Sequence, residues 1–233
     1  MIEVKGNGNI VSREIKVSSF IRLHLSGKGL IELHQSGEEK VIVETDENLQ
    51  EYFEIINSGR TLYISAEAKF RRPVYTKCTI KVFLRQIDML YIRNENADIV
   101  CADEIALSGP IEIKNQSIGN ADLDIIAPAI RILSQSVGNV VIKGRCGRVD
   151  IKNQSEGNFT STALVADELT IKNMSEGNVE LFANKAIAIS HYGEGYIHYA
   201  GDAVLRDVKQ YGQGEIRHVN KGEIRHVNTD EIK

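Results

Sequence analysis

Ile111-Glu-Ile-Lys-Asn115-Gln-Ser117-Ile-Gly119-Asn120-Ala-Asp-Leu123 decides the fold, because the chain goes on to write it again and again. The corner Ser117-Ile-Gly119-Asn120 returns as Ser136-Val-Gly138-Asn139, Ser155-Glu-Gly157-Asn158 and Ser175-Glu-Gly177-Asn178. It then loosens to Gly193-Glu-Gly195-Tyr196 and Gly212-Gln-Gly214-Glu215. The second glycines step by 19, 19, 20, 18 and 19 residues. A fixed period of this size marks stacked supersecondary units.

The register within each unit identifies strands. Eight positions before the second glycine stand Ile111, Ile130, Val149, Leu169, Ile187 and Arg206, and six before it Ile113, Ile132, Ile151, Ile171, Ile189 and Val208. Two after it come Ala121, Val140, Phe159, Val179, Ile197 and Ile216. Apolar residues at every second position on both sides of a glycine corner are strands with one buried face. The expected fold is all-β: a right-handed single-stranded parallel β-helix (β-solenoid) with about 19 residues per coil. Gly119, Gly138, Gly157, Gly177, Gly195 and Gly214 are its structural corners, with backbone angles expected to favour glycine.

Polar residues share the parity of the buried set. Asn115, Ser134, Asn153, Asn173, His191 and Gln210 lie four positions before the glycine, and Ser117, Ser136, Ser155, Ser175, Gly193 and Gly212 two before, so they are expected to turn inward or line a corner. They read as polar ladders that hydrogen-bond from one repeat to the next, which offsets the cost of burying them. Three positions before the glycine, with the opposite parity, come Gln116, Gln135, Gln154, Met174, Tyr192 and Tyr211. This outward stripe turns from amide to aromatic. Gln154, Met174, Tyr192 and Tyr211 are the candidate binding surface, the two tyrosines forming a platform suited to a sugar ring or an apolar anchor. Ordinary cross-strand stacking is the competing reading.

Upstream, Leu90, Ile92, Asn94, Asn96, Asp98 and Val100 fit the template with Asp98 in the glycine place, and Ile21, Leu23, Gly27, Gly29, Ile31 and Leu33 fit again. Residues 34–89 are an irregular β-rich insertion or end-capping layer. Strands are expected there at Val41–Val43, Thr61–Ile64 and Thr79–Leu84, with a helical turn over Asp46–Phe53 capped by Asp46. Residues 1–220 read as one domain. The tail 221–233 repeats Glu215-Ile-Arg-His-Val-Asn220 as Glu223-Ile-Arg-His-Val-Asn228, too soon for another repeat. It is either a hairpin or cap over the last unit, or a trailing duplication.

With its order of parts assembled, the chain resembles a known family. Gly6-Asn-Gly8-Asn-Ile10 leads to Arg13, Val17 and Phe20, then to Leu25-Ser-Gly27-Lys-Gly29, Val41-Ile-Val-Glu-Thr-Asp-Glu-Asn-Leu49, Leu62-Tyr-Ile64 and the Ser-x-Gly-Asn corners. This order is similar to the head GIN domain family, common in Bacteroidetes and described as putative auto-transporter adhesins. The chain departs from it in using Asn where relatives often have Asp after the glycine. The resemblance implies a right-handed β-helix and an exported protein of the periplasm, outer membrane or cell surface. It implies no established activity.

Composition narrows the function classes. Among 233 residues, 26% are charged and the net charge is −4, which provides no basic footprint for nucleic acid. A glycan or a surface protein is the expected partner. No apolar run is long enough for a membrane-spanning helix, and Met1–Lys5 lacks the apolar core of a signal peptide. Cys78, Cys101 and Cys146 make no disulfide framework, although Cys78 and Cys101 lie close to one repeat apart; buried free thiols are the favoured state.

No cofactor, metal or catalytic residues are expected. The histidines lack zinc spacing, with His198 and His218 on opposite parities and His24 and His34 far away. The glutamates Glu156, Glu176 and Glu194 stack as turn carboxylates, so a polysaccharide-acting lyase or glycosidase is the alternative to a non-enzymatic binding or scaffold module. A purely structural spacer is the third reading.

Overall fold

The computed structural model describes residues 2–66 and 71–220, the side chains of residues 94 and 95 excepted. Strands make up most of it, joined by a 3-10 helix at Glu47–Tyr52. Long strands such as Ala121–Ser134, Val140–Asn153 and Phe159–Asn173 carry the repeats and lie parallel to one another. Their register follows the sequence period. Ile111 faces Ile130, Ile130 faces Val149, Val149 faces Leu169 and Leu169 faces Ile187. All five are buried, as is the row Ile113, Ile132, Ile151, Ile171 and Ile189. Each such side chain contributes about 1.5–3 kcal/mol by leaving water, so one core runs the length of the stack.

The way the sheet closes differs from the expectation. The fold is a closed five-strand parallel barrel with further strands outside it, and the right-handed β-helix of uniform coils is corrected accordingly. A sequence period fixes which residues face each other across parallel neighbours; it is silent on how the sheet returns to itself. Several strands serve more than one partner. Met89–Cys101 pairs in parallel with Arg22–Gln35, with Ile111–Asn115 and with the start of Ala121–Ser134. Antiparallel pairings add to the mixture: Ile10–Lys16 with Lys40–Asp46, Lys40–Asp46 with Cys78–Leu84, and Glu54–Ser58 with Thr61–Ser65.

Two local registers also differ. Leu90 faces Ile113 and Ile99 faces Ala121, which puts Ala97 rather than Asp98 opposite Gly119 and moves Asp98 to the asparagine place. The strand there contains a register shift against its other neighbour, between Gly27 and Lys28, so a single template cannot span it. Gly29 does lie opposite Ala97. At the far end Ile187 faces Leu205, not Arg206, and a second shift follows before Ala188 faces Asp207. The strand Val204–Gln210 is exposed along its whole length. Without a buried face its register is weakly specified by the hydrophobic pattern.

Asp46 precedes the 3-10 helix but makes no side-chain cap there. Its buried carboxylate instead accepts the backbone N–H groups of Gly8 and Thr76, both at 2.8 Å. Burial pushes the carboxyl upward, but these hydrogen bonds win and hold it below the usual range. The three cysteines are free thiols. Burial pushes each up to about 12, and Cys78 donates to the Lys28 carbonyl at 3.1 Å. The tail 221–233, with its second copy of the hexapeptide, lies outside the described residues. The first copy supplies the strand Ile216–His218, parallel to Ile197–Ala200.

Candidate functional site

The Ser-x-Gly-Asn corner is the device that aligns the surface. The Asn139 backbone N–H donates to Asn120 Oδ1, Asn158 N–H to Asn139 Oδ1, and Asn178 N–H to Asn158 Oδ1, each at 2.9 Å. Asp98 starts the series by accepting from Asn120 N–H at 2.7 Å, and Tyr196 N–H ends it on Asn178 Oδ1 at 3.2 Å. An asparagine oxygen thus accepts where the preceding aspartate does, without adding a column of like charges.

Gly119, Gly138, Gly157, Gly177, Gly195 and Gly214 sit beside this ladder, and none has a positive φ. The expectation of glycine-favouring angles is corrected: close approach is the reason. A Cβ on Gly157 would collide with the Gly138 carbonyl, one on Gly177 with that of Gly157, and one on Gly195 with that of Gly177.

Behind the corners runs the buried polar column. Asn153 Nδ2 donates to Asn173 Oδ1 at 2.9 Å, and Asn173 Nδ2 lies 3.3 Å from His191 Nδ1. Ser117 and Ser175 donate to Asn115 and Asn173, and Ser134, Ser136 and Ser155 bond among themselves. Ser117, Ser136 and Ser175 also reach the carbonyls of Gly119, Gly138 and Gly177. The asparagines, serines and His191 of the ladder are buried, but Gln210, expected to continue it inward, is exposed, because the strand Val204–Gln210 has no buried face. Their bonds tie core to corner, and the outer rows inherit that alignment.

The outward row three positions before the glycine is continuous. Tyr91 donates its hydroxyl to Gln116 Oε1 at 2.7 Å, Gln116 Nε2 to Gln135 Oε1 at 2.7 Å, and Gln135 Nε2 to Gln154 Oε1 at 3.2 Å. Met174 follows, half-buried like Gln154. Tyr192 and Tyr211 end the row with their rings stacked, centroids 4.8 Å apart and planes 14° from parallel. Tyr192 is 44% exposed and Tyr211 66%, so both rings are accessible. Lys172 Nζ lies 5.3 Å from the Tyr192 ring centroid, a cation–π contact on the same face. Glu156, Glu176 and Glu194 are exposed. His198 pairs with Glu215 at 3.1 Å while His218 lies against Tyr199, so the two histidines serve different contacts.

The structure adds a groove that the period does not reveal. Parallel pairing sets His24 between Tyr63 and Tyr91, with ring centroids 4.8 and 5.2 Å away. Arg93, Gln116, Ile118, Ser26 and Ser65 complete a hollow of about 560 Å³. Its signal in the sequence is the thrice-written triplet Leu23-His24-Leu25, Leu62-Tyr63-Ile64 and Leu90-Tyr91-Ile92. These triplets come into register although their spacing follows no period.

Fold and surface together describe an all-β module with an ordered, partly aromatic outer face. The chain belongs to the family described as putative auto-transporter adhesin, head GIN domain, whose model matches residues 19–203. Solved structures share the fold. A putative adhesin from Bacteroides fragilis aligns with a TM-score of 0.85 at 19% identity, over 93% of this chain and all of that one. A putative lipid binding protein from Parabacteroides distasonis aligns with a TM-score of 0.73 at 22% identity, over 93% of this chain and 99% of that one. A putative adhesin from the same species gives 0.68 at 22% identity, over 93% and 100%. A comparison with curated proteins found no match. The family and these neighbours are described as putative adhesins or a putative lipid binding protein, not as enzymes. Among the described residues no helix is long and apolar enough to cross a membrane.

Proposed function

We propose that this protein is a non-enzymatic, adhesin-like binding module of the cell envelope or surface, and that it engages a glycan through Tyr192 and Tyr211, flanked by Met174 and Gln154. The observation that carries the reading is the exposed stacked tyrosine pair. Of the stacked pair Tyr211 is the more exposed, and its outer ring face, backed by Tyr192, offers an apolar surface to the C–H face of a sugar, with the two hydroxyls as hydrogen-bonding groups at the rim. Rigidity matters as much as chemistry, because a platform ordered before binding loses little side-chain entropy when it binds. Membership of an adhesin family supports an exported setting.

A glycan array probed with the wild type and with a Tyr192→Ala/Tyr211→Ala variant tests this. The expected result is a reproducible glycan signal that the variant loses. Equal signals from the two proteins contradict the site.

A further inference from the structure

We infer that the groove floored by His24, Tyr63 and Tyr91 is a separate binding site for a carboxylated sugar of an acidic glycan, with the sugar ring on the tyrosines and its carboxylate on Arg93. The inference does not depend on the tyrosine pair at the far end. The two sites lie on the same outer face, the rings of the groove in register with Lys114 rather than Gln116, and Tyr91 and Tyr192 are five strand spacings apart, about 24 Å at roughly 4.8 Å each.

The shape and lining select the ligand. A volume of about 560 Å³ is in the range of small-molecule sites. The three rings are mutually tilted, at 57° and 75°, so they form a faceted floor rather than one flat stack. Tyr63 is 43% exposed and Ile118 52%, whereas Leu25 and Ile64 beneath them are each 1% exposed. The accessible apolar surface is therefore ring face and one isoleucine, too little to wall an acyl chain. Ser26, Ser65 and Gln116 supply hydroxyl and amide partners around it, as a ring rich in hydroxyl groups requires.

A peptide is disfavoured by the backbone. The strand beneath the groove, Arg22–Gln35, is already paired over this stretch with Thr61–Ser65 on one side and Met89–Cys101 on the other. Among the described residues this strand has no open edge for strand addition.

Charge selects the acid. Arg93 is exposed, lines the groove and has no carboxylate partner among the described residues. Arg22 and Lys114 stand nearby, each with one carboxylate neighbour, Asp88 at 3.9 Å and Glu112 at 3.6 Å. Burial, then the charges of Arg22 and Lys114, hold His24 below the usual imidazole range, so the floor is a neutral ring in a positive surrounding. A guanidinium fork matches a carboxylate with two parallel hydrogen bonds.

Calorimetric titration with trigalacturonate, with neutral galactotriose and with triglutamate as controls, tests the assignment. Trigalacturonate is expected to bind at least about tenfold more tightly than either control, since the neutral sugar lacks the carboxylate for Arg93 and the peptide lacks the ring for the tyrosines. Arg93→Gln and Tyr63→Ala should each weaken it by about tenfold or more. Wild-type affinity should also fall as salt rises, a readout that needs no variant. Absence of trigalacturonate binding, equal binding of triglutamate, salt-independent affinity, or wild-type affinity in either the Arg93 or the Tyr63 variant each overturns the inference.

Discussion

At the scale of single residues, the corner glycines and the buried histidine make opposite kinds of demand. Gly157 has no room for a side chain because the Gly138 backbone lies where its Cβ would be, whereas Gly109 faces open space and has no positive φ. Gly157→Ala should therefore cost about 1–3 kcal/mol through forced backbone displacement. Gly109→Ala should be neutral or stabilise by up to about 1 kcal/mol through the unfolded state. Urea denaturation of the two variants checks the contrast. The glycine positions were legible from the period alone. Their reason was not, since close approach between backbones depends on the neighbouring strand and not on the residue's own conformation.

His191 makes the pH-dependent demand. Burial holds it below the usual imidazole range, with the Gly195 and Gly214 carbonyls pulling weakly the other way. The unfolded chain then takes up a proton that the folded one resists, so the stability contributed by neutral His191 is complete at high pH. It is lost as the pH falls through about 6.5 towards the lower folded value. His191→Asn keeps a polar group beside Asn173 and removes the titration. The variant should show a shallower loss of stability than wild type between about pH 7.5 and 5.5 in urea melts, reduced rather than abolished because His24 shifts in the same sense.

Strands and rows decide how much of the surface can be altered without harm. Tyr192 and Tyr211 stack on a row whose alignment comes from the buried column behind it. Replacing both with alanine should therefore cost only about 0.2–1 kcal/mol, the scale of one cross-strand pair, with a melting temperature close to that of wild type. A large drop would show that the pair is structural. The outer row could be read from parity because strand side chains alternate strictly. The groove of His24, Tyr63 and Tyr91 could not be read from a period. Its members come from three strands whose separations follow no repeat, and only the similar triplets around them carry a signal. Likewise Asp46 sits where a cap is expected, yet its carboxylate is drawn to Gly8 and Thr76 by contacts between distant segments.

For the molecule as a whole, the period gave strand type, in-register parallel pairing and the composition of the core, while sheet closure lay beyond it because the same pairing serves more than one way of returning the sheet to itself. Burial within this fold also raises the thiols. Cys78, Cys101 and Cys146 are all pushed up to about 12. Intact-mass measurement after iodoacetamide at about pH 8 should show little alkylation of the native protein and three additions after denaturation, since the thiolate is the reactive form. Rapid native labelling would point to an opened barrel.

The claim on which the functional account rests is that the stacked tyrosines are a binding surface and not merely part of the sheet. Its most direct test is calorimetric titration of an array-selected glycan into wild type and into Tyr192→Ala/Tyr211→Ala, at matched temperature and with both melting temperatures recorded. The account predicts that the variant stays folded and binds at least about tenfold more weakly, equivalent to about 1.4 kcal/mol. Wild-type affinity in the folded variant would contradict it.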